Sequence, residues 1–90
     1  MKMKLFKTII EEHNGEQEYS HDILILAATQ ASAEKKADKI ARSWFDDNDK
    51  KKDGDGYFHL GGLIYVESRG VCETTKEEWQ EWMYQRCLMN

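Results

Sequence analysis

The run Ile23-Leu24-Ile25-Leu26 restricts the folds open to this chain more than any other segment. It sits within residues 19–28, which read as a β-strand, and successive strand residues point to opposite faces of a sheet. Ile23 and Ile25 then share one face, and Leu24 and Leu26 share the other. Leu63 and Tyr65 oppose Ile64 and Val66 in the same way, and Ile9 opposes Ile10. A sheet apolar on both sides has to hide both from water, which helices on one face alone do not achieve. A second copy of the chain, laid on Leu24, Leu26, Leu63 and Tyr65, is the simplest remaining cover.

The other segments supply a hairpin partner, two helices and one further strand region. Residues 2–10 read as a strand in which Lys7 interrupts a Met3, Leu5, Ile9 row. The polar stretch 11–18 contains Asn14-Gly15, a favoured hairpin pair. Residues 32–46 carry helical periodicity: Ser32 serves as the cap, and Ala33, Ala37, Ile40, Ala41 and Trp44 recur on one side. Residues 46–56 (DDNDKKKDGDG) are too polar to bury and read as an exposed loop. Residues 57–72 return to strand character, as one strand bent at Gly61-Gly62 or a short strand followed by a longer one. Thr74-Thr75 ahead of Glu77-Glu78 gives two overlapping capping boxes for a helix over 75–88, with Trp79, Trp82, Met83 and Cys87 as its buried stripe. The expected architecture is α+β: an antiparallel three- to four-stranded sheet with two helices on one face, in the order β-β-α-β(-β)-α. At 90 residues the chain makes one domain, 1–90.

Composition narrows the class of function. Apolar residues make up 40% and aromatics 11%, too much for a disordered chain. No run approaches the roughly 18 apolar residues of a membrane span, and no apolar segment of signal-peptide type follows Lys2 and Lys4. Two cysteines, Cys72 and Cys87, are too few for a secreted disulfide scaffold, so reduced thiols in a cytoplasm are expected. The net charge is −4, and all of it falls in residues 46–90, since residues 1–45 balance. That sign argues against non-specific nucleic-acid binding.

Motif by motif, chemistry finds little purchase. Lys52-Asp53-Gly54-Asp55-Gly56-Tyr57-Phe58 matches the middle of an EF-hand loop, with Asp53 and Asp55 at the third and fifth positions and Gly56 at the turn. Lys51 then stands where the first carboxylate belongs and Gly62 where a bidentate Glu belongs, so at most a degenerate calcium loop remains. The cysteines and His13, His21 and His59 show no zinc-type spacing; each His reads as a surface or strand-edge residue, and no metal or other cofactor is expected. Cys72 lacks the setting of an activated nucleophile, and Glu11-Glu12 and Glu77-Glu78 lie in polar surroundings that would not separate their pKa values. The expectation is a protein that is not an enzyme. The helix cations Lys35, Lys36, Lys39 and Arg42 suggest a nucleic-acid-binding regulator as an alternative, although Glu34 and Asp38 interleave with them.

A protein-binding role remains, in which Asp46, Asp47, Asp49, Asp53 and Asp55, with Glu77, Glu78 and Glu81, present carboxylates to a basic surface. Small size, acidity, the β-β-α-β-α order and a strand running through Glu73-Thr74-Thr75 into a Trp-containing helix resemble the small phage- and mobile-element-encoded proteins of the anti-CRISPR kind. The resemblance implies inhibition of a CRISPR effector by occupying a nucleic-acid or partner surface, with a dimer as one form. That group shares no motif, so no site residue carries over from it.

Overall fold

The β1–β2 hairpin runs further than its apolar residues require. A computed structural model describes residues 2–46 and 50–89, with side chains through Gln85. In it β1 (Lys4–Asn14) pairs antiparallel with β2 (Gln17–Ala27) from Lys4 opposite Ala27 to Asn14 opposite Gln17. The polar stretch 11–18 is therefore mostly strand, and the connection is the two-residue loop Gly15-Glu16 rather than Asn14-Gly15. Gly15 has a φ of +63° while Glu16 has none in that region, the pattern of a II′ hairpin turn. Polar cross-strand neighbours extend the ladder where apolar ones give out.

Three more strands complete the sheet: β3 (Lys51–Asp53), β4 (Gly56–His59) and β5 (Ile64–Thr74), in the spatial order β2-β1-β5-β4-β3, all antiparallel. The sheet has five strands because part of the acidic stretch expected to be a loop folds into the β3–β4 hairpin. Asp53 faces Gly56 across the two-residue turn Gly54-Asp55, and Gly54 supplies the positive φ of +62°. Between β4 and β5 a single 3-10 turn at Leu60–Gly62 uses Gly61 and Gly62 at positive φ, so residues 57–72 form a short strand followed by a longer one.

Helix α1 (Gln30–Arg42) covers one face, here the first face. It starts earlier than Ser32: Thr29 is the cap, its Oγ1 accepting the Ser32 N–H at 3.1 Å, and the helix ends before Trp44 at a Ser43 cap. Its buried line is Ala33, Ala37 and Ala41, spaced by four, and such small side chains let a helix lie close to a sheet. Beneath it the buried β1 residues are Phe6, Thr8 and Ile10, not the Met3, Leu5, Ile9 row. Ile25 and Ala27 of β2 and Val66 of β5 join them, with Ile23 and Ile40 shared by both parts of the core. His59 belongs here too. It is fully buried rather than a surface or strand-edge residue, donating from Nε2 to the Ala41 carbonyl at 3.0 Å with Phe45 packed edge-on.

A bulge decides where the second helix goes. Between Thr8 and Ile10 of β1 stands one residue, but between their partners Val71 and Ser68 stand two, Arg69 and Gly70. Gly70 takes a φ of +106°, and its carbonyl accepts a hydrogen bond from the Thr8 hydroxyl at 2.5 Å. An extra residue in one strand reverses the alternation beyond it. Ile64, Val66 and Ser68 point to the first face before the bulge, and Val71 and Glu73 do so after it. Thr74 is thereby turned to the second face, and the chain leaves the sheet on that side.

The two helices accordingly do not share a face. On the second face the Lys7 ammonium stands 4.4 Å from the centre of the Trp82 ring. Trp79 and Trp82 of helix α2 (Lys76–Met89) close a cavity of about 230 Å³ with Lys7, Ile9, Asp22 and Cys72. Both Trp are half-buried and Met83 is exposed, so α2 has a wet face where a buried stripe was expected. Cys87 lies outside the described side chains.

Candidate functional site

The second face has two unlike halves, and the strand register assigns them. Toward the start of β1, Leu5 lies between Leu26 and Thr74, and Lys7 between Leu24 and Cys72. Toward the hairpin end, Glu11 lies between Ser20 and Glu67, and His13 between Glu18 and Tyr65. Apolar residues thus gather near α2, and ionisable ones gather near the β1–β2 turn.

In the ionisable half His13 is the hub. Its Nδ1 is 3.2 Å from Glu18 Oε1, and its Nε2 faces Glu67 Oε1 at 3.4 Å and Glu11 Oε2 at 3.5 Å. The bulge residue Arg69 reaches back over the same carboxylates, donating from Nη1 to Glu67 Oε1 at 2.9 Å and lying 3.7 Å from Glu11 Oε1. Hydrogen bonding to Glu67 is the largest of the influences that raise the Arg69 pKa, with the charges of Glu11 and Glu67 next.

Tyr65 links this group to the β3–β4 turn. Its hydroxyl donates to the Asp53 carbonyl at 2.8 Å, and its ring lies over Gly56 and 4.8 Å from that of Phe58. A Cβ at residue 56 would meet the Tyr65 Cζ at 2.7 Å and the Val66 carbonyl oxygen at 2.6 Å, so only glycine fits there. Burial pushes the Tyr65 phenol up first, and the charges of Glu67, Asp53 and Asp55 push the same way. A backbone hydrogen bond from Gly56 opposes them. Four carboxylates, Glu11, Glu18, Glu67 and Asp53, therefore lie around the His13–Tyr65 pair, while Asp55 lies toward α1 with Glu34 and Asp38.

The residues singled out from sequence are dispersed by this arrangement. Asp53 and Asp55 stand exposed on the β3–β4 hairpin, and Asp46 is exposed beyond α1. Asp47 and Asp49 lie outside the described residues. Glu77, Glu78 and Glu81 are on the first turns of α2, past the opposite end of β5. Glu67 and Thr74 are seven positions apart, on the order of 20 Å along a strand, so the six described acids do not form one surface. Glu78 also accepts a hydrogen bond from the Thr74 hydroxyl at 3.3 Å.

The proposed dimer face divides in the same way. Leu24 and Leu26 are 41% and 55% exposed at the apolar end of β2. Leu63 is 74% exposed just before β5 at the far end, and Tyr65 is folded onto Gly56. The EF-hand pattern is not folded as a calcium loop either, because a two-residue turn replaces the wrapping segment and the Asp53 carbonyl is taken by Tyr65. Glu11, His13 and Glu67 form the cluster that sequence reading missed. The Glu11-x-His13 spacing was its visible half, since alternate strand residues share a face; Glu67 enters only through the β1–β5 register.

The first face holds a smaller polar feature. The Tyr57 hydroxyl lies 2.8 and 2.9 Å from the two Asp38 oxygens, and burial followed by this hydrogen bond raises its pKa. The Trp44 Nε1–H donates to Glu12 Oε1 at 2.9 Å, so adjacent Glu11 and Glu12 serve opposite faces. Cys72 is an exposed free thiol. No helix is long and apolar enough to cross a membrane among the described residues. No protein-family model matches the chain, and no curated protein or solved structure does so either.

Proposed function

We propose that this chain is a non-enzymatic protein-binding module that uses the acidic half of its second face to occupy a basic surface. The carrying observation is the gathering of Glu11, Glu18 and Glu67 around His13, with Asp53 in the same cross-strand row beyond Gly56. Spaced carboxylates on a rigid platform complement Lys and Arg that otherwise bind phosphates. The partner class is a nucleic-acid-handling protein, and inhibition by steric or charge-mimicking occupation of its nucleic-acid channel is the specific form, as in anti-CRISPR proteins. The basic side of α1 supports direct nucleic-acid binding less well. Lys36 donates to the Leu26 carbonyl, and Glu34 and Asp38 lie among Lys35, Lys39 and Arg42 in one shallow depression.

The test is a panel of CRISPR effector complexes and nucleases assayed for cleavage with increasing amounts of the protein. Inhibition of at least one, weakened about tenfold or more by Glu18→Lys with Asp53→Lys, is the expected result. No inhibition, together with salt-sensitive gel shifts that depend on Lys35 and Lys39, would transfer the function to the nucleic-acid-binding alternative.

A further inference from the structure

We propose that His13, Glu11 and Glu67 form a binding site for a divalent transition-metal ion of the zinc class. The inference goes beyond partner docking and needs no partner protein. It begins with the His13 ring. Glu18 stands 3.2 Å from Nδ1, the closest of the carboxylates to the ring, and since a carboxylate can only accept, this contact favours the tautomer with its proton on Nδ1. In that tautomer the Nε2 lone pair is directed between Glu67 Oε1 at 3.4 Å and Glu11 Oε2 at 3.5 Å. Three electron-rich atoms converge where only a cation makes their meeting favourable.

The spacing favours a metal over a proton. A charge-assisted N–H···O bond closes to about 2.7–2.9 Å, and both gaps are longer than that and longer than the 3.2 Å Glu18 contact. Ligand atoms about 2.1 Å from a tetrahedral zinc are separated by about 3.4 Å, which both gaps match. One imidazole with two carboxylates is a donor set for zinc and its neighbours, whereas calcium and magnesium take oxygen shells. The Glu18–His13 contact is the outer-shell arrangement that fixes the tautomer of a metal-bound imidazole. The three carboxylates against the Arg69 guanidinium leave a net −2, which a dication neutralises.

Arg69 is the competitor. It is bound to Glu67 and lies near Glu11, so it supplies positive charge when metal is absent and has to yield when metal enters. Its side chain is more than half exposed and springs from the bulge, so nothing packed has to move.

The experiment is zinc titration by calorimetry on the full chain in a Cys72→Ser, Cys87→Ser background, which removes thiolate ligands. Nitrogen-15 shifts of the imidazoles are read in parallel. One equivalent of zinc should bind and move the His13 Nε2 resonance most. Affinity should fall about 10–100-fold in Glu18→Gln, fall further in His13→Gln, and rise in Arg69→Ala. The last direction separates a metal site from an ion-pair network, which loses cohesion without its arginine. No binding at millimolar zinc, unchanged binding in a folded His13→Gln protein, or weaker binding in Arg69→Ala would each overturn the proposal. A circular dichroism melt confirms that each variant is folded.

Discussion

Tyr57 and Tyr65 show how one hydroxyl carries both packing and charge. Each phenol has a pKa raised above the ordinary 10.0, Tyr57 by burial and then Asp38, Tyr65 by burial and then Glu67, Asp53 and Asp55. The folded chain therefore keeps these protons to higher pH than the unfolded chain does. Their contribution to stability is complete below pH 10.0 and is lost as pH rises through the folded values. Tyr57→Phe should cost about 1 kcal/mol near neutral pH, through the lost bond to Asp38. It should also flatten the fall in stability on the alkaline side of 10.0. Urea midpoints taken on both sides of that pH decide the matter: an unchanged alkaline slope in Tyr57→Phe means the phenol is not the group responsible. His59 illustrates the opposite limit of legibility. Nothing in the flanking residues marks it as core, because burial of a polar ring is decided by the Ala41 carbonyl across the layer.

At the scale of elements, the sequence shows what each segment is better than where it ends or which way it faces. The two helices, the β1–β2 hairpin and the α+β class all follow from periodicity. The end of that hairpin does not, because residues 11–18 are held by cross-strand contacts such as His13 with Glu18, not by apolar alternation. Arg69-Gly70 is harder still: one extra residue reverses which side chains face the core, and a parity reading carried straight through β5 sends α2 to the wrong face. The Glu11–His13–Glu67 cluster was hidden for a related reason, since Glu67 meets Glu11 and His13, 56 and 54 positions away, only through the β1–β5 register. Helix α2 depends on few anchors, and its cap is one of them. The Glu78 N–H donates to Thr75 Oγ1 at 3.1 Å, which realises half of a capping box. Thr75→Ala should cost about 1 kcal/mol and speed amide exchange throughout α2 while leaving α1 unchanged. Equal acceleration in both helices would show that α2 opens only with the whole domain.

For the molecule as a whole, the division of the second face sets how two copies can meet. A two-fold pairing over the entire face would place Glu11, Glu18 and Glu67 near their own images, and like charges in apposition oppose association. Only the apolar half, with Leu24 and Leu26 exposed beside α2, is suited to self-contact. Leu63 and Tyr65, at the other end, take no part in such a contact. The acidic halves still repel across the interface at low ionic strength, because the screening length is about 10 Å at 0.1 M salt and several times longer when salt is dilute. Self-association through this face should therefore be weak and should strengthen as salt is added, the reverse of a dimer held by ion pairs. Leu26→Glu should abolish it at every salt concentration, since a carboxylate would then sit in the contact. Sedimentation equilibrium across a salt series reads both effects. A strict monomer throughout would leave the apolar half to a different partner, and a dimer that dissociates as salt rises would place the contact elsewhere on the molecule.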